Sequence, residues 1–353
     1  MARHLTRVVA VSIAVAVALT VACGSPSAPG GRAGSAHAVA SSPAVAPPST
    51  APLTVRKSAW VDVSVATLWR TPRSPRKVDA PSLAQPARVR EWLSGMTTEQ
   101  RRGLNGRADT QALLGDRVVV LRLRPGWARV AVPDQPAPGS PRGYVGWVPR
   151  RQLTATTPQR PDQVATVVHR LAWLRTDDDA ATPVLQVSFG TRLPVLETVG
   201  DDVRVATPTG GSVRVASRLV AVHDRGTAAL PTTRAGVVAS ATMFTGLDYL
   251  WAGRSGFGFD CSGLTSLVYR VHGRTLPRDA SPQSGAGTAV GSRTLRRGDL
   301  MFYATDGVVH HVSMYAGGGR MVHSPRTGSE VQVIATSTPA YAAEYVGARR
   351  FVG

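Results

Sequence analysis

Lysine, cysteine and acidic residues are scarce in this sequence, and each shortage limits what the chain can be. Lys57 and Lys77 are the only lysines among 353 residues, yet 41 basic residues outnumber 22 acidic ones and give a net charge of +19. Nearly all of this charge is arginine, which a GC-rich genome also favours. An excess of this size attracts polyanions, but no nucleic-acid-binding motif accompanies it. We therefore expect no nucleic-acid partner.

Long hydrophobic runs are missing except at the amino terminus. A basic start followed by an apolar run predicts an export signal over residues 1–22, and the run is too short to predict a membrane span. It ends Thr20-Val21-Ala22-Cys23, which resembles the lipobox of bacterial lipoproteins, although that motif prefers leucine at the position of Thr20. Lipidation of Cys23 and ordinary cleavage after Ala22 are the two alternatives. Either way we expect an extracytoplasmic protein, lipid-anchored in the membrane and facing the cell wall, or secreted.

The shortage of cysteine excludes an intramolecular disulfide if Cys23 is used at the processing site. Cys261 then has no partner, and a lone thiol in an exported protein is a free, reactive group. Its neighbours are Asp260, Ser262 and Gly263, whereas an inert structural cysteine normally lies among apolar residues. We therefore interpret Cys261 as a nucleophile.

Composition divides the chain into five segments. We expect an export signal over 1–22, a tether of Ala, Ser, Pro and Gly over 23–54, β-rich segments over 55–155 and 160–225, and an α+β segment over 234–353. Short strand-like runs separated by turns recur in both β-rich segments. The two segments therefore predict a degenerate pair of small β-barrels.

The first β-rich segment carries two distinguishing features. Residues 87–114 are polar and predict a helical insertion, and the segment closes with Gly143-Tyr144-Val145-Gly146-Trp147-Val148-Pro149. This closing motif resembles bacterial SH3-like domains, which accompany cell-wall enzymes. We expect Trp147 in the barrel core and Tyr144 on the outside, facing a neighbour. The second β-rich segment lacks the motif.

The C-terminal segment combines helical and strand periodicity. Helices are predicted over 235–244 and over 261–272, and strands are predicted over 300–304, 311–316, 320–323, 330–335 and 346–352. This pattern is typical of a helix packed on an antiparallel sheet. Cys261 begins the second helix, where Asp260 can cap the free amides and the helix dipole favours the thiolate.

A cysteine nucleophile needs a base, and two strands provide histidines. Side chains alternate along a strand, so only one of His310 and His311 can face the thiol, and alternation alone leaves the choice open. His323 lies across a glycine hairpin from this strand, where it can fix the tautomer of the base. Cys261 and two histidines are also a possible zinc-ligand set. Because the sequence has no CxxC or HExxH spacing, we expect no metal and no other cofactor.

Six short motifs follow one another within residues 235–353. They are Asp260-Cys261-Ser262-Gly263-Leu264, Leu276-Pro277-Arg278, Gln283, Arg297-Gly298-Asp299-Leu300, His311-Val312-Ser313-Met314-Tyr315 and His323-Ser324-Pro325. In this order they resemble the NlpC/P60 family of bacterial cell-wall cysteine peptidases. The resemblance implies a papain-like α+β fold, with His311 as the base and His323 as the third polar residue.

The resemblance also implies a substrate. It is the stem peptide of peptidoglycan, cut between γ-D-glutamate and a diamino acid through a thioester on Cys261. Family members with two SH3-like domains require a free amino-terminal L-Ala on the stem. Arg278-Asp279-Ala280 is similar to their Arg-Asp-Ser segment, so that Asp279 would pair with the substrate ammonium. Alanine at 280 removes one hydrogen bond to the substrate.

Three further residues receive roles from the same resemblance. Tyr144 would complete the ammonium pocket from the first barrel, and Ser262 would contact the substrate. The Tyr249 hydroxyl would assist the Cys261 amide as an oxyanion donor or would contact the substrate.

Other interpretations of the sequence remain open. The same scaffold serves amidases and acyltransferases, and a wall-binding protein with an inactive enzyme domain would carry similar motifs. Asp279 also suits a solvated loop or helix cap.

Overall fold

The computed structural model describes residues 51–159 and 161–353. The expected export signal, Cys23 and the tether as far as residue 50 lie outside these ranges. Within them, no helix has the length and apolar character needed to cross a bilayer.

Residues 58–154 form a seven-stranded antiparallel sheet, here called the N-terminal sheet. Its strands are β1 (Ser58–Val61), β2 (Val65–Trp69), β3 (Ala108–Leu113), β4 (Arg117–Arg124), β5 (Trp127–Val132), β6 (Tyr144–Pro149) and β7 (Leu153–Thr154). Their order is β3-β2-β6-β5-β4-β1-β7. Val118, Val120, Ala128 and Val130 alternate into the core, as the period of two in a strand requires. Trp147 is only 8% exposed, which confirms its prediction as a core residue.

The insertion between β2 and β3 is only partly helical. It contains a 3-10 helix (Lys77–Leu83), α1 (Val89–Ser94) and α2 (Thr98–Arg102). The prediction of helix through residue 114 is wrong at its end, because Ala108–Leu113 is β3. The polar side chains of Thr110 and Gln111 suggested an exposed segment, but both are almost fully buried and bond to the C-terminal region.

Residues 163–224 form a second seven-stranded sheet, here called the middle sheet. Its strands are β8 (Gln163–Val167), β9 (Leu171–Thr176), β10 (Pro183–Ser188), β11 (Arg192–Val199), β12 (Asp202–Ala206), β13 (Ser212–Ala216) and β14 (Val220–Asp224). Their order is β10-β9-β13-β12-β11-β8-β14. If β8 to β14 are matched in chain order with β1 to β7, this order is the same as in the N-terminal sheet. The predicted internal repeat is therefore confirmed. Residues 177–182 replace the insertion.

The C-terminal region combines helices with an antiparallel sheet. The helices are α3 (Arg234–Thr242), α4 (Cys261–Val271), α5 (Ala280–Ser284) and α6 (Pro339–Glu344). A two-stranded ribbon, β15 (Arg254–Ser255) with β16 (Gly258–Phe259), precedes α4. The strands of the main sheet are β17 (Thr288–Val290), β18 (Leu300–Thr305), β19 (Val308–Gly317), β20 (Arg320–His323), β21 (Gln332–Ala335) and β22 (Tyr345–Arg350). Their order is β17-β22-β18-β19-β20-β21.

Helix α4 is buried along its whole length and has clear start and stop signals. The Asp260 carboxylate accepts a hydrogen bond from the Gly263 amide at 2.7 Å, as predicted for an N-cap. Gly263 has no substitute here, because a Cβ would lie 2.0 Å from the carbonyl oxygen of Gly253. At the other end Gly273 takes the left-handed conformation that ends many helices.

The two preceding sheets hold the C-terminal region at its buried loops. Gln111 of β3 accepts from the Arg254 amide at 3.0 Å and from the Ser255 hydroxyl at 2.9 Å. Ser188 of β10 accepts from the Gly256 amide at 2.8 Å. Both contacts fix the ribbon that leads into α4.

Candidate active site

Cys261 is the first residue of α4, and its side chain lies against strand β19. The residue is only 8% exposed. Backbone amides of Val312 and Ser262 face the sulfur and lower its pKa, but burial has the larger effect, and with the nearby Asp260 carboxylate it raises the pKa of the Cys261 thiol to about 12. Burial of the thiol thus opposes the preference for the thiolate that the start of the helix provides.

His311 and His323 form a buried pair on β19 and β20, and α4 packs against β19. His311 Nε2 lies 2.9 Å from His323 Nδ1, and the two residues are 4% and 1% exposed. The neighbouring His310 points to the other face, where 44% of its side chain is exposed and Nε2 lies 3.4 Å from Glu344. The structure therefore places His311, and not His310, on the buried face.

Burial also sets the charge of the histidine pair. It holds the pKa of His311 well below the ordinary value, and it lowers the pKa of His323 to about 4. Burial therefore favours the uncharged forms of the Cys261 thiol and of both imidazoles. Such a site must move a proton when it reacts.

Gln332, which the sequence did not mark as functional, contacts the second histidine. It lies directly opposite His323 in the register of β20 and β21, with Gln332 Nε2 3.2 Å from His323 Nε2. Both nitrogens of His323 are therefore engaged. This contact could be predicted only from the register of β20 and β21, and the alternation of residues along each strand does not determine that register.

Tyr341 of α6, which no sequence motif marks as functional, also contacts the histidine pair. Its ring centroid lies 4.8 Å from that of His323, edge to face, and 5.5 Å from that of His311. The ring covers both imidazoles and contributes to their desolvation. Its position depends on α6, a helix for which no motif was found in the sequence.

A buried arginine binds Asp260, the N-cap residue of α4. Arg278, 1% exposed, donates from Nη1 and Nη2 to the two carboxylate oxygens of Asp260 at 3.0 and 2.6 Å. It also donates to the Ser262 hydroxyl at 3.0 Å and to the Thr110 hydroxyl of β3 at 2.7 Å. The predicted substrate contact Ser262 is thus 5% exposed and bonded within this network.

The structure brings Tyr144 and Asp279 together. Tyr144 Oη donates to Asp279 Oδ2 at 3.0 Å, which agrees with the prediction that Tyr144 faces a neighbour. Asp279 precedes α5 but makes no side-chain cap hydrogen bond, and 46% of its side chain is exposed. Burial raises the pKa of this carboxyl, which the adjacent Arg278 partly offsets. Asp279 therefore occupies the N-cap position of α5 without a capping bond from its side chain.

Tyr249 lies close to the nucleophile and is 6% exposed. Burial, together with the negative charges of Asp260 and an ionised Cys261, raises the pKa of its hydroxyl. Tyr249 therefore remains a protonated hydrogen-bond donor. Its hydroxyl makes no hydrogen bond to another described residue.

A metal would have to compete with hydrogen bonds already present. His311 Nε2 and His323 Nδ1 bond to each other. Among residues 51–159 and 161–353 no group of three or more His, Cys, Asp and Glu side chains is arranged to hold a metal ion. The arrangement suits proton transfer between a thiol and an imidazole, followed by acyl transfer to sulfur.

Two regions of the chain match known families. The NlpC/P60 family matches residues 246–350, and the YKFC SH3b2 domain matches residues 167–222. The second match lies in the β-rich segment that lacks the closing Gly-Tyr motif.

Similar proteins cover most of the chain. A γ-D-glutamyl-L-lysine dipeptidyl-peptidase of Bacillus cereus (strain ATCC 10987) is 40% identical over 83% of this chain and 91% of its own length. A protein of the same name from Bacillus subtilis (strain 168) is 35% identical over 81% of this chain and 96% of its own. The crystal structure of an NlpC/P60 family protein from Bacillus cereus ATCC 10987 has a TM-score of 0.80 and 38% identity, and covers 84% of this chain and 100% of its own. The chain therefore belongs to the NlpC/P60 family.

Proposed function

We propose that this protein is a cysteine peptidase that cleaves peptidoglycan stem peptides between γ-D-glutamate and the following diamino acid. The observation that supports the proposal is the buried Cys261 against β19, the strand that carries His311 of the hydrogen-bonded His311–His323 pair. Two relatives at 35–40% identity are named for this bond, with L-lysine as the diamino acid. Their names also describe release of a dipeptide, which requires a free amino terminus.

The fold and the family matches support our domain assignment. The N-terminal and middle sheets, within 55–155 and 160–225, are two SH3-like barrels, and residues 234–353 are a papain-like peptidase domain. Their identical strand order supports a common origin for the two sheets. Residues 1–22 act as the export signal, and Cys23 as the site of a lipid anchor that holds the enzyme at the membrane, facing the wall.

The first chemical step is transfer of the thiol proton to His311. His311 Nε2 is bonded to His323, so Nδ1 is the nitrogen left to act as base. Because burial favours the neutral form of both groups, the proton moves as the sulfur attacks the γ-glutamyl carbonyl. His311 then protonates the departing amine, and water hydrolyses the thioester to regenerate Cys261.

Gln332 is a positioning residue that selects the tautomer of the base. Rotating the side-chain amide of Gln332 by 180° exchanges its Oε1 and Nε2 atoms. Oε1 of Gln332 then lies 3.2 Å from His323 Nε2. In that orientation Oε1 accepts the proton of His323 Nε2, and His323 Nδ1 accepts the proton of His311 Nε2. His311 Nδ1 then carries a lone pair. If the amide nitrogen of Gln332 donates to His323 Nε2 instead, His323 Nδ1 must donate its proton to His311 Nε2. His311 Nδ1 then carries a proton and cannot act as the base.

The negative charge that develops on the carbonyl oxygen needs donors nearby. The Cys261 amide at the start of α4 is one, and the Tyr249 hydroxyl, held protonated by its raised pKa, is the second. Ser262, whose side chain bonds to Asp260 and Arg278, contacts the substrate from the same turn.

Specificity for a free amino terminus comes from Asp279. Its carboxylate is half-buried and held by Tyr144, and an ammonium group bound there adds a second charge partner to Arg278, which lies 3.8 Å away. An acylated stem offers no charge and does not form this second ion pair.

Hydrolysis of synthetic stems tests the proposal. L-Ala-γ-D-Glu-L-Lys and its diaminopimelate analogue, each with free and with acetylated amino terminus, are incubated with the enzyme and with Cys261→Ala. We expect cleavage of the free stems only, release of L-Ala-γ-D-Glu, and no activity in the variant. Cleavage of a different bond, or unchanged activity in Cys261→Ala, would overturn the proposal.

A further inference from the structure

A cavity of about 430 Å³ lies where the two sheets and the C-terminal region meet. The N-terminal sheet contributes Asp116 and Arg117, the middle sheet contributes Arg192 and the end of α4 contributes Arg270. Cys261 begins the same helix, nine residues before Arg270, which is about 14 Å along the axis. The cavity is therefore separate from the catalytic site.

The described lining of this cavity is strongly basic. It holds four arginines (117, 192, 225 and 270) and two aspartates (116 and 134), an excess of two positive charges. Both aspartates already pair with Arg270, whose Nη2 lies 2.6 Å from Asp116 and 3.1 Å from Asp134. Asp134 also lies 4.0 Å from Arg192. Of the four lining arginines, Arg117 and Arg225 make no ion pair with a carboxylate among the described residues.

Three guanidinium nitrogens of the lining residues Arg192 and Arg270 lack hydrogen-bond partners within the described part of the chain. Nε and Nη1 of Arg270, and Nε of Arg192, are buried and have no hydrogen-bond partner among the described residues. The side chain of Arg270 is only 4% exposed. Buried donors are nearly always satisfied in folded proteins, so this cluster is unusual.

The arginines also repel one another. The Arg270 charge is the main cause that lowers the pKa of Arg192 to about 10. Burial, followed by the Arg270 charge, lowers the pKa of Arg254 to about 9. A bound anion beside Arg192 and Arg270, which both line the cavity, would relieve their repulsion.

We propose that this cavity is a binding site for a phosphate group, held chiefly by Arg192 and Arg270. The excess of two positive charges matches a phosphate dianion, and planar guanidinium groups bind phosphate oxygens in pairs. The group is either inorganic phosphate or the phosphate of a small ester, for which the cavity has room. A phosphate in this position contacts all three regions and stabilises their packing.

Phosphate binding to the full chain is measured by calorimetry and by thermal unfolding at constant ionic strength, with chloride as the reference salt. We expect saturable binding at one site and a rise in the unfolding temperature that follows the phosphate concentration. Glycerol 3-phosphate is titrated in parallel. Tighter binding of the ester identifies a phosphorylated ligand, and tighter or equal binding of inorganic phosphate identifies the free ion.

Variants separate the site from general charge effects. Arg192→Gln and Arg225→Gln remove one cavity charge each, and Arg129→Gln removes an exposed arginine of β5 outside the cavity. We expect about a tenfold loss of phosphate affinity in each cavity variant, since each charge-assisted bond contributes about one decade, and no loss in Arg129→Gln. Absence of saturable binding, or equal losses in all three variants, would overturn the site. These readouts do not depend on peptidase activity.

Discussion

Tyr144 Oη donates a hydrogen bond of 3.0 Å to Asp279 Oδ2, which joins the N-terminal sheet to the loop that follows the catalytic helix. The two residues are 135 positions apart in the sequence. Since Asp279 is half-exposed and makes no cap hydrogen bond, its carboxylate is available to a ligand. The pocket proposed for the substrate ammonium therefore needs both regions in place.

Asp279→Asn should reduce kcat/KM for the free stem by about 30-fold to 1000-fold, the range expected for a lost buried charge pair. The amide keeps the shape of the side chain but cannot pair with an ammonium. Steady-state rates with free and acetylated stems measure the effect, and the ratio of the two rates should approach one.

Tyr144→Phe offers a matched and milder change. It removes the hydroxyl that holds Asp279 and should cost about tenfold in kcat/KM, as for one neutral-to-charged hydrogen bond. In a double-mutant cycle the two changes should be strongly non-additive. Additive losses would mean that Tyr144 does not act through Asp279.

Replacing Gln332 tests its role in selecting the tautomer of His311. Gln332→Leu removes the acceptor for His323 Nε2 and should lower kcat about tenfold or more with little change in KM, because only proton transfer is affected. Gln332→Glu keeps an acceptor oxygen and should retain most of the activity. Its added charge should raise the pKa of His323 and move the acidic limb of the pH profile upward. Equal losses in both variants would assign Gln332 a packing role only.

Local sequence patterns predicted the parts of the site that depend on neighbours in the chain. Asp260 caps α4 because a carboxylate precedes the first turn, and Cys261 follows directly. The hairpin at Gly317–Gly319 sets His323 beside β19, as all three glycines take positive φ. These features follow from capping, alternation and turn chemistry, which act over a few residues.

Contacts between distant segments could not be read in this way. In the sequence Arg278 stands out only as part of a motif. In the structure it bonds both to Asp260 and to Thr110 of β3, which is 168 residues from Arg278 in the chain. Thr110 falls in the segment predicted to be a polar helix, because the sequence does not distinguish a threonine with a buried hydroxyl from one with an exposed hydroxyl. The burial of Cys261, which opposes ionisation of the thiol, also depends on the packing of β19 and has no local signal in the sequence.

The histidine pair should make stability fall as the solution becomes acidic. The pKa of His323 is about 6.5 in the unfolded chain and about 4 in the folded protein, so the unfolded state binds the proton first. Stability is therefore complete above pH 6.5 and declines as the pH falls to about 4, by on the order of 3 kcal/mol for this residue. The lowered pKa of His311 acts in the same direction.

Urea unfolding between pH 7.5 and 4 measures this slope. His323→Gln should flatten it, whatever the variant does to stability at neutral pH. His310→Gln is the control, because 44% of that side chain is exposed. An equal slope in wild type and His323→Gln would show that His323 is not desolvated in the folded protein.

Alkylation of Cys261 should report the neutral state of the resting site. Because burial raises the pKa of this thiol to about 12, little thiolate exists near neutral pH. Iodoacetamide should therefore react more slowly at pH 7 than with a free cysteine, and the rate should still rise above pH 9. Complete alkylation should abolish hydrolysis of the free stem, whereas strong chelators should leave hydrolysis unchanged. Loss of activity with a chelator, restored by zinc, would instead establish Cys261 and the two histidines as metal ligands.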